Sequence, residues 1–99
     1  MLRALFLDRD GVINHDAGYT HEWTESIIID GIVDLIRKFR SQGFLIIIAT
    51  NQSGIGRGYY TDQEFHKFMK SMTDYLAQKC AAVDEYLYCN CNPEKRLLK

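Results

Sequence analysis

Ala4-Leu5-Phe6-Leu7-Asp8-Arg9-Asp10-Gly11 is the stretch that decides the fold of this 99-residue chain. A short apolar strand, predicted over residues 4–7, runs directly into two carboxylates one residue apart, and Gly11 predicts a turn behind them. In open α/β sheets, ligands bind beyond the carboxyl ends of the strands. The stretch therefore predicts a site for a cation and a phosphate at Asp8 and Asp10.

The rest of the chain alternates predicted helices and strands. One helix is expected to begin at Asp30 as its N-cap and to stop at Gly43. A second helix begins at a capping box formed by Thr61 and Glu64. Each helix has an apolar stripe at helical spacing: the stripes are Ile32, Leu35, Ile36 and Phe39 in the first helix, and Phe65, Phe68, Met69, Met72 and Leu76 in the second.

Two further strands are predicted, over residues 45–49 and 83–89. The first is an unbroken apolar run, which is typical of a strand with helices on both faces of its sheet. Right-handed crossovers would place all three strands side by side and parallel, with Asp8, Thr50 and the end of the third strand at one edge. We therefore expect one α/β domain over residues 1–99, a three-layer Rossmann-like parallel sheet.

Composition limits the classes of function. Twelve Lys and Arg against thirteen Asp and Glu give a net charge of −1, so no overall field attracts nucleic acid or an anionic membrane. No apolar run is long enough to cross a bilayer and no signal peptide is evident, which predicts a cytoplasmic protein. Three cysteines without an export signal argue against a disulfide framework, and Cys80 is expected to be a small buried residue.

A second motif follows the 45–49 strand: Thr50-Asn51-Gln52-Ser53-Gly54-Ile55-Gly56-Arg57-Gly58. Three glycines with hydroxyl and amide donors can surround a phosphate, and Arg57 can make a bidentate contact to it. No Gly-Lys-Ser/Thr ends the loop, so it is not a Walker loop. A flexible glycine-rich turn and turn-capping aspartates are the structural alternatives for the two motifs.

Together, the two motifs resemble those of the haloacid dehalogenase (HAD) superfamily, and most closely those of its D-glycero-D-manno-heptose 1,7-bisphosphate phosphatase and histidinol-phosphatase group. The resemblance implies that Asp8 is the nucleophile that forms an aspartyl-phosphate, and that Asp10 is the general acid and base. It also implies that Thr50 and Asn51 hold the phosphoryl oxygens and that Arg57 contacts a small phosphorylated sugar or histidinol phosphate.

The same resemblance implies sites for two metals, magnesium and zinc. Mg²⁺ would bridge Asp8, Asp10 through its backbone carbonyl, and the phosphate. Cys89 and Cys91 stand where this group carries half of a structural zinc site. Because two ligands do not close such a site, zinc and two unmetallated thiols stay open as alternatives.

The length of the connections carries further expectations. Only about a dozen residues separate Asn14 from Ile28, which implies a capless member of the superfamily. Tyr19, His21 and Trp23 in this connection are expected to pack on the sheet edge rather than to contact a sugar.

The superfamily's later lysine and acidic Mg²⁺ ligands have no counterpart after Pro93, so the sheet is expected to be incomplete and the chain to be an amino-terminal part of the fold. That would leave the first strand as an unpaired edge, through which a homodimer can form, and would make the chain a poor enzyme. The alternatives to a phosphatase are a non-catalytic phosphate-binding or dimerisation fragment and a polynucleotide 3′-phosphatase. The neutral charge disfavours the last of these.

Overall fold

The computed structural model describes residues 2–90. Cys91, and the expectations for the residues after it, lie outside this range. Within the range, the elements alternate in chain order as follows: β1 (Arg3–Leu7), α1 (Ile32–Ser41), β2 (Phe44–Asn51), α2 (Ser53–Gly56), α3 (Asp62–Gln78) and β3 (Glu85–Cys89), with one 3₁₀ turn at Glu25–Ile27 before α1.

The three strands form one parallel sheet in the order β1-β2-β3, as predicted. β2 continues through Asn51, two residues beyond its predicted end. β3 begins at Glu85 rather than at Val83, since Asp84 uses its carboxylate to accept the Ile46 N–H at 2.7 Å. The carboxyl ends of the strands therefore meet at one edge of the sheet, where the two motifs lie.

Both long helices pack on the same face of the sheet. The two crossovers run in the same direction, from β1 to β2 and from β2 to β3, so right-handed connections bring α1 and α3 to one side. Ile46 and Ile48 of β2 are fully buried there, in one core with Ile36 of α1 and Phe65 of α3. This core holds the site's edge of the sheet in place.

The opposite face of the sheet is uncovered in the described residues. Phe6 of β1 is 59% exposed and Leu87 of β3 is 52% exposed, and Ala49 of β2 is also exposed. The prediction that β2 has helices on both faces is wrong for the described part of the chain. The sheet is incomplete, as expected, and the connection between β1 and α1 holds no cap domain among residues 8–31.

The capping box of α3 is confirmed, whereas the predicted start of α1 is wrong. The Thr61 hydroxyl accepts the Glu64 N–H and the Glu64 carboxylate accepts the Thr61 N–H. At α1, Gly31 and not Asp30 is the N-cap, in the left-handed region at φ +91°, which glycine adopts without a steric penalty. Leu35 of the predicted stripe is 38% exposed and lies outside the core.

Cys80 is exposed, so its predicted burial is wrong. It lies just past α3 in the left-handed conformation, at φ +61°. The Cys80 N–H donates to the Ala77 carbonyl and the Ala81 N–H donates to the Leu76 carbonyl, which is the Schellman pattern of a helix end. This turn directs Ala81 into the core and the Cys80 thiol to solvent. No helix among residues 2–90 is long and apolar enough to cross a membrane.

Candidate active site

A cavity of about 360 Å³ opens where β1 and β2 end. Asp8 and Asp10 line it from the β1 side, and Asn51 and Gln52 line it from the β2 side. Asp8 comes directly after the last residue of β1, and its carboxylate accepts the Arg9 N–H at 2.8 Å. The cavity thus presents two carboxylates beside amide donors.

The Asp10 carboxylate is held on both of its oxygens. Its Oδ1 accepts from Arg9, at 3.1 Å from Nε and 2.8 Å from Nη2, and from Asn14 Nδ2 at 3.0 Å. Its Oδ2 accepts from Gln52 Nε2 at 3.1 Å. Because charge-assisted hydrogen bonds are among the strong ones, these contacts fix the orientation of the carboxylate relative to the cavity.

Arg9 is fully buried, which the sequence did not predict. Besides its ion pair with Asp10, its guanidinium donates to the Thr20 carbonyl at 2.7 Å and lies 4.3 Å from the centre of the Phe68 ring. Arginine is seldom buried without a partner. The signal in the sequence was an arginine flanked by two acids, but its contacts with Thr20 and Phe68 join distant parts of the chain.

Gln52 connects the two motifs. Its Nε2 donates to Thr50 Oγ1 at 2.8 Å as well as to Asp10, and its Oε1 accepts a hydrogen bond from the hydroxyl of Tyr60. Burial raises the pKa of Tyr60, and the Asp10 carboxylate adds to the rise while Arg9 opposes it. Neither Gln52 nor Tyr60 was predicted to have a role, since neither residue type signals chemistry by itself.

The glycine-rich motif is a compact turn rather than an extended loop. Its Ser53–Gly56 segment is the short helix α2. Gly54 packs so closely that a side chain there would collide with the rings of Tyr60 and Tyr19. The glycine is therefore required for the close approach of the Tyr60 ring to the motif.

The predicted phosphate-binding residues divide into two groups. Thr50 and Asn51 lie with Asp8 along a shallow depression at the sheet edge, which also includes Cys89. Arg57 is half-buried at the end of α2 and lines neither this depression nor the cavity. The structure thus brings Asp8, Thr50 and Asn51 together, whereas Arg57 lies outside that group.

The connection after β1 contributes to the cavity wall. Asp16, Gly18 and Tyr19 line the cavity, and Tyr19 is 45% exposed at φ +51°. The His21 ring stacks on Tyr60 at 5.0 Å. Trp23 packs against α3 at 5.7 Å from the Phe68 ring, so the expectation that it packs on the sheet edge is wrong.

The described part of the chain offers suitable ligands for Mg²⁺ but not for zinc. Mg²⁺ is usually held by one or two carboxylates together with water and phosphate oxygens, and Asp8 with Asp10 offers that donor set. The Asp10 side chain is engaged by Arg9, Asn14 and Gln52, which leaves the Asp8 carboxylate to face a cation. Among residues 2–90 no group of three or more His, Cys, Asp or Glu residues could hold a metal, so the described residues do not support zinc at Cys89.

Comparison with known sequences yields clear relatives. No protein-family model matches the chain. A D-glycero-alpha-D-manno-heptose-1,7-bisphosphate 7-phosphatase from Burkholderia mallei is 45% identical over 92 residues, which are 93% of this chain and 49% of the relative. A D-glycero-beta-D-manno-heptose-1,7-bisphosphate 7-phosphatase from Escherichia coli K12 is 42% identical, over 92% of this chain and 48% of the relative. A Thermoplasma volcanium protein assigned heptose-1,7-bisphosphate 7-phosphatase activity is 43% identical, over 94% of this chain and 64% of that protein.

Solved structures agree with these relatives. D,D-heptose 1,7-bisphosphate phosphatase from B. bronchiseptica, complexed with magnesium and phosphate, matches with a TM-score of 0.84 at 29% identity, over 94% of this chain and 52% of that one. A Mesorhizobium loti structure assigned as a HAD-like phosphatase matches with a TM-score of 0.82 at 35% identity, over 89% of this chain and 42% of that one.

Fold and sequence together identify the chain as a relative of the HAD-like phosphatases, which confirms the resemblance of its two motifs. Within that class it is similar to the heptose-1,7-bisphosphate phosphatases. The chain spans 48% to 64% of the length of the curated relatives it matches.

Proposed function

We propose that this chain carries the site of a phosphatase that hydrolyses a small sugar phosphate, of the heptose bisphosphate type, or histidinol phosphate. The observation that carries the proposal is the pair Asp8 and Asp10 in one cavity, with the Asp10 carboxylate fixed and the Asp8 carboxylate open to a ligand. The relatives named as heptose-bisphosphate phosphatases support the same reaction class.

In the proposed reaction, a carboxylate oxygen of Asp8 bonds to phosphorus while the ester P–O bond breaks. Asp10, in its protonated form, gives its proton to the leaving alkoxide. Asp10 then takes a proton from water, whose oxygen attacks the phosphorus of the aspartyl-phosphate while the bond between phosphorus and the Asp8 oxygen breaks. Inorganic phosphate leaves, and Asp8 and Asp10 return to their starting forms.

The phosphate is proposed to lie between Asp8 and the end of β2. Thr50 and Asn51 are the donors for its oxygens, since both line the depression beside Asp8. Arg57, half-buried at the end of α2, is proposed to contact a more distant part of the substrate. Mg²⁺, when bound at Asp8 and the Asp10 backbone carbonyl, would neutralise charge between the carboxylate and the phosphate.

A second candidate function is a non-catalytic phosphate-binding module that self-associates. The uncovered apolar face at Phe6 and Leu87 favours it, as does the β1 edge, which no described strand pairs. In this alternative the chain forms a homodimer through that edge and binds phosphate without turnover. In both candidates the partner is a small phosphorylated metabolite, and the cytoplasm stays the predicted location.

Phosphate release from heptose bisphosphates and from histidinol phosphate, with Mg²⁺ and with EDTA, tests the proposal. We expect Mg²⁺-dependent release by the chain and none by Asp8→Asn. Asp34→Asn, at an exposed position of α1, is the matched control and should retain the activity. Equal release by the chain and by Asp8→Asn would overturn the proposal. Vanadate binding without release would favour the non-catalytic module.

A further inference from the structure

The amide of Gln52 is held in one of two possible orientations. A carboxamide has a donor end and an acceptor end, and rotation about its last bond exchanges them. Gln52 is 2% exposed, and its Nε2 points to two acceptors, Asp10 Oδ2 at 3.1 Å and Thr50 Oγ1 at 2.8 Å. In the opposite orientation its Oε1 would face the Asp10 carboxylate, and two acceptors would repel each other.

Tyr60 supplies the contact at the acceptor end of the amide. Its hydroxyl donates to Gln52 Oε1, while the NH₂ group of Gln52 faces Asp10. Tyr60 is 5% exposed, and its ring is confined between the stacked ring of His21 and Gly54. The hydroxyl therefore reaches Gln52 from a fixed position.

We propose that Tyr60 is a positioning residue for Asp10, acting through the amide of Gln52. This role rests on the proposed phosphatase function, in which Asp10 transfers the proton. Arg9 and Asn14 hold Oδ1, whereas Gln52 alone among the described side chains holds Oδ2. Without the Tyr60 hydroxyl, the Gln52 amide loses one of the three contacts that hold its donor on the second oxygen of Asp10.

An NMR measurement tests the positioning independently of turnover. The side-chain NH₂ signals of Gln52 report its hydrogen bonds, and buried, bonded amide protons exchange slowly with solvent. Tyr60→Phe keeps the ring and removes the hydroxyl, so we expect shifted Gln52 signals and exchange faster by on the order of tenfold. Tyr59→Phe, at a 57% exposed position next to it, is the matched control and should leave both unchanged. Unchanged Gln52 signals in folded Tyr60→Phe would overturn the proposal.

A kinetic measurement tests the consequence for Asp10. Tyr60→Phe should lower kcat on the order of tenfold and change KM by a smaller factor, since Gln52 contacts Asp10, which transfers the proton, as well as Thr50. In a Gln52→Met background, the same change should have no further effect, because the residue through which Tyr60 acts is gone. An additive loss in the double variant, or a loss confined to KM, would overturn the proposal. If the unsubstituted chain releases no phosphate, the proposed function fails, and the NMR result still decides whether Tyr60 orients Gln52.

Discussion

Arg9 and Asp10 are adjacent in the chain, and their side chains form an ion pair of 2.8 Å in which the Arg9 side chain is 1% exposed and that of Asp10 is 22% exposed. Neighbouring side chains at the end of a strand usually point apart, and here a turn brings them together. The Arg9 carbonyl accepts N–H groups from both Ile13 and Asn14, which folds the chain back on itself directly after β1. The same turn thus builds the core beneath the cavity and positions the carboxylate at its wall.

Replacement of Arg9 by Met should destabilise the protein by about 3 kcal/mol, since removing one partner of a buried pair leaves the other charge uncompensated. The free energy of unfolding in urea measures this loss. Arg37→Met, at an exposed position of α1, is the control and should change stability by less than about 0.5 kcal/mol. Equal stability of the two variants would contradict the structural role of Arg9.

Gly54→Ala should destabilise the protein by about 1–3 kcal/mol, since the added methyl group overlaps the rings of Tyr60 and Tyr19. Gly43→Ala separates this steric effect from backbone strain. Gly43 has open space around it but adopts φ +86°, so its replacement should cost about 1 kcal/mol through conformation alone. Thermal unfolding of both variants measures the difference, and a neutral or stabilised Gly54→Ala would show that the rings move aside.

The free energy of unfolding should decrease as the pH is lowered into the acid range, partly because of Asp62. Hydrogen bonds from Tyr88 and Asn90 hold the pKa of Asp62 below its ordinary value of 3.8. The folded state therefore gains stability above that ordinary value, and the gain is lost as pH falls through the lowered one. Urea midpoints between pH 2 and 5, a range chosen around the ordinary carboxyl pKa, should depend less on pH in Asp62→Asn. Asp74→Asn, at an exposed position of α3, is the control, and an identical pH dependence for both would refute the role of Asp62.

The uncovered face of the sheet should mediate self-association. Phe6 and Leu87 are large, exposed and apolar on that face, so we expect a concentration-dependent dimer in light scattering after gel filtration. Phe6→Glu with Leu87→Glu should give a monomer with nearly the same melting temperature, because neither side chain contributes to the core. Leu2→Glu, at a position 83% exposed before β1, is the control for added charge. A monomer at all concentrations of the unsubstituted chain would contradict the prediction.

Patterns local in the sequence predicted the fold well. The parallel order of the strands, the capping box of Thr61 and the buried stripe of α3 follow from periodicity and short-range hydrogen bonds, and the structure confirms them. Two of the failures occur where the backbone adopts positive φ. Gly31 displaced Asp30 as the N-cap, and Cys80 took the left-handed position that glycine usually occupies after a helix.

The site was predictable only in part, for a physical reason. Asp8 and Asp10 stand out because two acids follow an apolar strand. Gln52, which contacts Asp10, and Tyr60, which contacts Gln52, are more than 40 residues away from Asp10 in the chain. Their side chains carry no charge, and only the packing of the two motifs against each other reveals their connection.

The hydrogen bonds that hold Asp10 also affect the conformational entropy of its side chain. An exposed carboxylate rotates among several conformations, and a ligand that requires one of them must suppress the others on binding. In this protein the donors Arg9, Asn14 and Gln52 have already suppressed them. The loss of rotational freedom occurs once, when the chain folds, and does not recur each time a molecule enters the cavity.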